Sequence, residues 1–109
     1  MRKVTTETVN AFFNGYTLSK GNTITAGGKY YLHGNLIAYF DNKRNLVLTN
    51  CGWASNTTKD RLNGILKYLG YEGVKQKDFI WYLNGEEWSG KEATVFSSGA
   101  WQYTNALKL

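Results

Sequence analysis

Proline is absent from the 109 residues, and cysteine, histidine and methionine occur once each. A lone cysteine, Cys51, excludes a disulfide-stapled scaffold. A lone histidine, His33, leaves any Ser-His-Asp or Cys-His mechanism a single base to draw on. One histidine and one cysteine also fall short of the three or four soft ligands of a zinc site. No apolar run nears the roughly 20 residues that a membrane span needs. The basic start, Met1-Arg2-Lys3, has no apolar segment behind it, which argues against a signal peptide. Without proline, the turns must rest on glycine and asparagine.

Aromatic side chains and positive charge are plentiful. Four Trp, eight Tyr and five Phe accompany a net charge of +5. Such a composition excludes intrinsic disorder, which goes with few aromatics and little apolar content. The length suits one domain over residues 1–109. The expectation is a small, basic, intracellular domain whose rings carry much of the packing.

Two helices and a run of short strands can be read from the pattern. Val9, Phe12, Phe13 and Tyr16 fall at helical spacing, with Thr5 or Thr6 as cap and Gly15 as stop. Leu62, Ile65, Leu66 and Leu69 form the stripe of a second helix that opens at Ser55, Asn56 or Thr57 and ends at Gly70. Between them, Thr23–Thr25, Lys29–His33, Leu36–Phe40 and Leu46–Thr49 read as an antiparallel meander, with a hairpin at Gly27-Gly28 and a bulge or tight turn at Gly34-Asn35. Gln76–Leu83 reads as one strand ending at the Asn84-Gly85 turn, Ala93–Ser97 as another, and Trp101–Leu109 is ambiguous. The predicted class is α+β: a small antiparallel sheet of about five strands packed with two short helices.

Sequence signatures of catalysis are missing. Gly-x-Ser-x-Gly, the P-loop and the dinucleotide fingerprint do not occur. His33 reads as a hydrogen-bonded strand residue and Cys51 as a small buried one. Asp78, Glu86, Glu87 and Glu92 lack the spacing of a calcium loop. The expectation is a protein without catalytic residues, metal or cofactor.

Two stretches suit binding. In the first, Thr49–Arg61, a Gly-containing loop meets the start of the second helix, where free N–H groups and the helix dipole favour anions. Ser55, Asn56, Thr57 and Thr58 would bind a phosphate, Lys59 or Arg61 would neutralise it, and Trp53 would stack on a base. The same residues also suit a capped surface helix with solvated charges. In the second stretch, Lys75, Lys77, Trp81 and Tyr82 interleave cations with aromatics, as on a single-strand nucleic-acid surface. Phe79, Trp81 and Leu83 would then share one face, and Ile80 and Tyr82 the other. No block of like charge exists, which argues against a polyanion-binding tail.

Three blocks, Tyr31-Leu32-His33-Gly34-Asn35-Leu36-Ile37-Ala38, Cys51-Gly52-Trp53 with Asn56–Gly64, and Tyr82–Gly90, resemble a family of small bacteriophage proteins over roughly residues 5 to 90. The resemblance implies a phage product in the host cytoplasm. By analogy, small phage proteins of this kind resemble anti-defence factors such as nucleotide sponges, which are homo-oligomers with ligand sites between subunits. The expected function is therefore sequestration of a phosphate-bearing nucleotide signal. Single-stranded nucleic-acid binding, or docking on a host protein through an aromatic patch, stand as alternatives.

Overall fold

The computed structural model describes residues 2–96, so Trp101–Leu109 lies outside the described residues. The chain opens with helix α1, Lys3–Phe13. Thr5 and Thr6 do not cap it, as the sequence suggested. Arg2 occupies that position with extended backbone and no side-chain cap bond. Thr5 and Thr8 instead lie inside the helix on its buried face, beside Val9 and Phe12. Thr8 Oγ1 satisfies itself by donating to the Val4 carbonyl at 2.7 Å, a bond that lets threonine persist within a helix. Gly15 then ends the element as expected. At φ +73° it lets Tyr16 N–H reach the Ala11 carbonyl at 2.9 Å, a turn that L-residues with a Cβ resist.

Among the described residues a six-stranded antiparallel sheet follows, in the order β1 (Leu18–Lys20), β2 (Thr23–Ala26), β3 (Lys29–Leu32), β4 (Asn35–Phe40), β5 (Leu46–Leu48) and β9 (Ala93–Phe96). The β2–β3 hairpin turns at Gly27-Gly28, both with positive φ. The β3–β4 hairpin turns one residue earlier than the sequence suggested, at His33-Gly34, and carries a register shift at Tyr30/Tyr31. Helix α2 (Asn56–Tyr68) starts after Ser55, whose Oγ accepts the Thr58 N–H at 3.1 Å. It ends at Gly70, as the pattern predicted. Val9 and Phe12 of α1, Leu62, Ile65 and Leu66 of α2, and Tyr30, Ile37, Leu46 and Leu48 of the sheet form the core.

The second sheet was not foreseen as such. Residues 76–83 are not one strand: β6 (Val74–Lys77) and β7 (Ile80–Leu83) pair in register Val74↔Leu83 and Lys77↔Ile80, and β8 (Glu86–Glu87) pairs with β7. The chain reverses at Asp78 and Phe79, both with positive φ although neither is glycine. That conformation is what a two-residue hairpin demands, and it hides the turn from a reading based on composition. Phe79 consequently sits at the tip and shares no strand face with Trp81.

Asparagines root this small sheet on the body. Asn63 of α2 accepts the Val74 N–H at 2.6 Å and donates to the Val74 carbonyl at 3.1 Å, mimicking a strand partner. At the other root, Asn50 N–H donates to the Gly90 carbonyl at 2.9 Å, and Thr49 Oγ1 donates to the same oxygen at 3.0 Å.

Candidate functional site

Arg61, expected to face a phosphate, points into the protein instead. It is 2% exposed. Its Nε donates to Thr23 Oγ1 at 3.1 Å, one terminal nitrogen to Thr5 Oγ1 at 2.8 Å and to Asp60 at 2.7 Å, and the other to Asn22 Oδ1 at 3.4 Å. The Thr5 hydroxyl also donates to Asp60. Nearby, the hydroxyls of Thr8 and Tyr30 meet at 2.7 Å. The guanidinium thus ties α1, α2 and β2 together, with its charge answered by Asp60. Both its geometry and its charge are consumed by the fold.

The rest of the loop-to-helix stretch is divided in the same way. Thr58 is buried, and its hydroxyl meets Ser55 Oγ at 2.9 Å. Trp53 is 61% exposed. The hollow bordered by Trp53, Ser55, Thr58 and His33 has a volume of about 40 Å³, close to the share of a single water and far below a nucleotide. Asn56 is exposed and Thr57 half-buried at the first turn of α2.

Lys59 leads to a different place. Its Nζ donates to Gln76 Oε1 of β6 at 2.7 Å and lies 5.8 Å from the centre of the Trp81 ring. The first turn of α2 therefore adjoins the small sheet, and Gln76 and Trp81 line a cleft of about 620 Å³. Asn50, Ala54, Phe79 and Trp88 contribute further wall, and Ile80, Glu87 and Ser89 complete the rim. This volume lies in the usual range of about 300–1,000 Å³ for small-molecule sites.

Strand register aligns that wall. Gln76 is paired with Trp81, and Trp88 N–H donates to the Trp81 carbonyl at 2.8 Å. The two indoles lie 6.1 Å apart at 48°. Trp88 is fixed by its own N–H, which donates to the Lys91 carbonyl at 2.8 Å. Trp81 differs. It is 6% exposed, and its indole N–H is buried without a hydrogen-bond partner among the described residues. A buried donor left unpaired costs about 1–3 kcal/mol.

Of the second predicted surface, Lys75 and Lys77 are exposed and Tyr82 is half-buried, but Trp81 belongs to the inner face. The structure thus separates Trp81 from the lysines it was grouped with and joins it to Lys59. Gln76, Trp88 and Asn50 were missed by sequence reasoning. Trp88 carried a signal, as a tryptophan inside the Tyr82–Gly90 block. Gln76 and Asn50 carried none, because their part depends on which strand lies beside them.

The two nucleophile-and-base candidates are engaged elsewhere. Cys51 is exposed, not buried as the sequence suggested; its Sγ donates to the Leu36 carbonyl at 2.9 Å, and partial desolvation pushes its thiol pKa up. His33 Nε2 meets Asn22 Nδ2 at 3.3 Å. Among the described residues no three His, Cys, Asp or Glu side chains cluster as metal ligands, and no helix is long and apolar enough to cross a membrane.

Fold and cleft define a small α+β domain of two antiparallel sheets with a tryptophan-walled groove between the lesser sheet and the start of α2. The chain belongs to the Kyanoviridae Gp96 protein family, whose model matches residues 1–103. This is a phage family, in keeping with the resemblance read from the three sequence blocks. No curated protein and no solved structure matches the chain.

Proposed function

We propose that this phage protein binds one nucleotide-type small molecule in the tryptophan-walled cleft without transforming it, and so withdraws a phosphate-bearing signal from the host cytoplasm. The observation that carries the reading is the unpaired, buried indole N–H of Trp81 in a wall of aromatic rings. A base stacked against Trp88 brings ring acceptors that can satisfy such a donor. Lys59, 5.8 Å from the Trp81 ring, supplies a cation beside that wall, and the start of α2 from which it comes favours a phosphate. Sequestration rather than turnover suits a site bordered by neither His33 nor Cys51.

Charge favours a compact ligand over a nucleic-acid strand. The segment 72–92, which supplies most of the cleft wall, carries Lys75, Lys77 and Lys91 against Glu72, Asp78, Glu86, Glu87 and Glu92, so this stretch is acidic although the whole chain is basic. A strand gains its affinity by neutralising many phosphates, and this stretch repels them. One or two phosphates held by Lys59 avoid that cost.

Tryptophan fluorescence and thermal shift with mononucleotides, cyclic oligonucleotides and ADP-ribose-type compounds test the reading. Saturable quenching with a raised melting temperature is expected for one of them; at 100 times Kd, the stabilisation is about 2.7 kcal/mol. Lys59→Ala should weaken that ligand about tenfold while leaving the matching nucleoside unaffected. No response to any member of the panel would reject it.

A further inference from the structure

The outer face of the small sheet carries a pattern that extends beyond the cleft, whose edge Phe79, Ile80 and Glu87 also border. Register places Lys75, Tyr82 and Glu87 in one row across β6, β7 and β8, and Lys77 beside Ile80 in the next. Lys75 and Glu87 are exposed, and Tyr82 is half-buried. Ile80 is 39% and Phe79 95% exposed. A strip of Phe79, Ile80 and Tyr82 therefore runs along the middle strand, with lysine on one flank and glutamate on the other. Isolated exposed apolar residues are ordinary, but a contiguous strip marks an interaction surface.

We infer that this face is the contact between two copies of the chain, packed about a two-fold axis parallel to β7. That axis reverses the left-to-right order of the strands while keeping their level. Each Tyr82 then lies on its counterpart, each Ile80 on its counterpart, and Lys75 of one copy opposite Glu87 of the other. The row is self-complementary, as a two-fold contact requires. An axis across the strands would instead set lysine on lysine and glutamate on glutamate, which is repulsive. The only ion pair that competes for Lys75 among the described residues is with Glu72 at 3.9 Å; both groups are more than half exposed, so it holds Lys75 weakly.

The same charges disfavour a nucleic-acid strand here, since Glu87 ends the very row that Lys75 begins, and Asp78 sits beside Phe79 at the tip. The strands have four, four and two residues. The patch is therefore small beside the roughly 1,200 Å² that stable complexes bury, and the dimer must dissociate on dilution. The face shares Phe79, Ile80 and Glu87 with the edge of the cleft, but its test is distinct, since the measurement is mass in the absence of ligand.

Sedimentation velocity of the full chain, from low micromolar to near-millimolar at low salt, tests it. The expected result is a concentration-dependent dimer. Lys75→Glu and Glu87→Lys should each raise its dissociation constant about tenfold or more, and the combined K75E/E87K chain should recover to within about threefold of the parent. Phe79→Ser, at a fully exposed tip, should weaken it without loss of fold by circular dichroism. A monomer at every concentration overturns the inference, as does a double variant no better than the singles. It is equally overturned if the parent stays monomeric while a labelled single-stranded oligonucleotide binds in a manner lost in Lys75→Glu.

Discussion

Replacing Arg61 by alanine separates a structural cation from a ligand-binding one. A surface reading of the α2 start predicts that the variant folds and loses only its ligand. The structure predicts collapse of stability. Arg61 makes four side-chain hydrogen bonds, to Thr5, Thr23, Asn22 and Asp60, at 2% exposure. Removing one partner of a buried pair costs about 3–5 kcal/mol. Asp60 retains 22% side-chain exposure, so water answers part of its charge and the lower end of that range applies. At about 4–8 °C per kcal/mol for a domain near this size, the melting temperature should fall by at least about 12 °C. Against a total of about 5–15 kcal/mol, that brings the chain near its threshold. Urea unfolding followed by tryptophan fluorescence measures the loss directly. Arg61→Lys keeps the charge but not the fork, and one ammonium cannot reach four acceptors set around a plane, so it should recover only part of the loss. Lys59→Ala, with a solvent-facing partner, should cost no more than about 1 kcal/mol. An Arg61→Ala protein within about 1 kcal/mol of the parent would refute the reasoning.

Three further perturbations read other parts of the fold. Gly90→Ala would set a Cβ 2.2 Å from Asn50 Nδ2 at φ +90°, whereas Gly52→Ala at φ +80° meets nothing within 4 Å; both carry the left-handed penalty, so Gly90→Ala should be the more destabilising by at least about 1 kcal/mol in denaturant melts. The paired change Asp78→Asn with Phe79→Gly supplies the residues that a two-residue hairpin favours and removes a ring that is 95% exposed, so it should raise stability by about 1 kcal/mol in the same assay. Burial pushes the Tyr30 phenol up from 10.0 to about 12, against the lowering effect of its Thr8 hydrogen bond. Because the fold favours the protonated form, that contribution is complete below 10.0 and is lost as pH rises through about 12; alkaline melts of the parent should show this loss, and melts of Tyr30→Phe should lack it.

Legibility in the sequence followed the range of the interactions. Both helices, the Gly27-Gly28 and Asn84-Gly85 turns and the meander are set by local pattern, and they were readable from spacing and glycine. The Gly15 and Gly70 stops were readable for the same reason, and the cap of α2 was narrowed to Ser55, Asn56 or Thr57, of which Ser55 takes the place. What escaped was conformation carried by residues that usually avoid it. Asp78 and Phe79 adopt positive φ without the Asn-Gly signature, so two strands merged into one in the reading. The cleft escaped because it is assembled by contacts distant in sequence: Lys59 with Gln76, and Asn50 with Gly90.

Arg61 is the instructive case, because its place was in the pattern all along. The stripe of α2 runs through Leu62, Ile65, Leu66 and Leu69. One turn before Ile65 lies Arg61, and one turn before Leu62 lies Thr58, so helical geometry puts both on the buried face. Asn56, with Lys67 near the other end, falls outside that face and is exposed. Residue chemistry suggested a phosphate partner for the cations near the helix start; Lys59, three residues before Leu62, borders the stripe as closely as Arg61 does, and what separates the two is the set of partners that the neighbouring elements offer each. Arg61 finds its partners inside, in the hydroxyls of Thr5 and Thr23. Those threonines in turn explain why α1 begins before Thr5 instead of being capped by it: a side chain claimed by a buried guanidinium is not available to hold the helix end. One misassigned role thus accounts for two departures from the sequence reading, and it leaves Lys59, turned toward Gln76 and Trp81, as the cation beside the cleft.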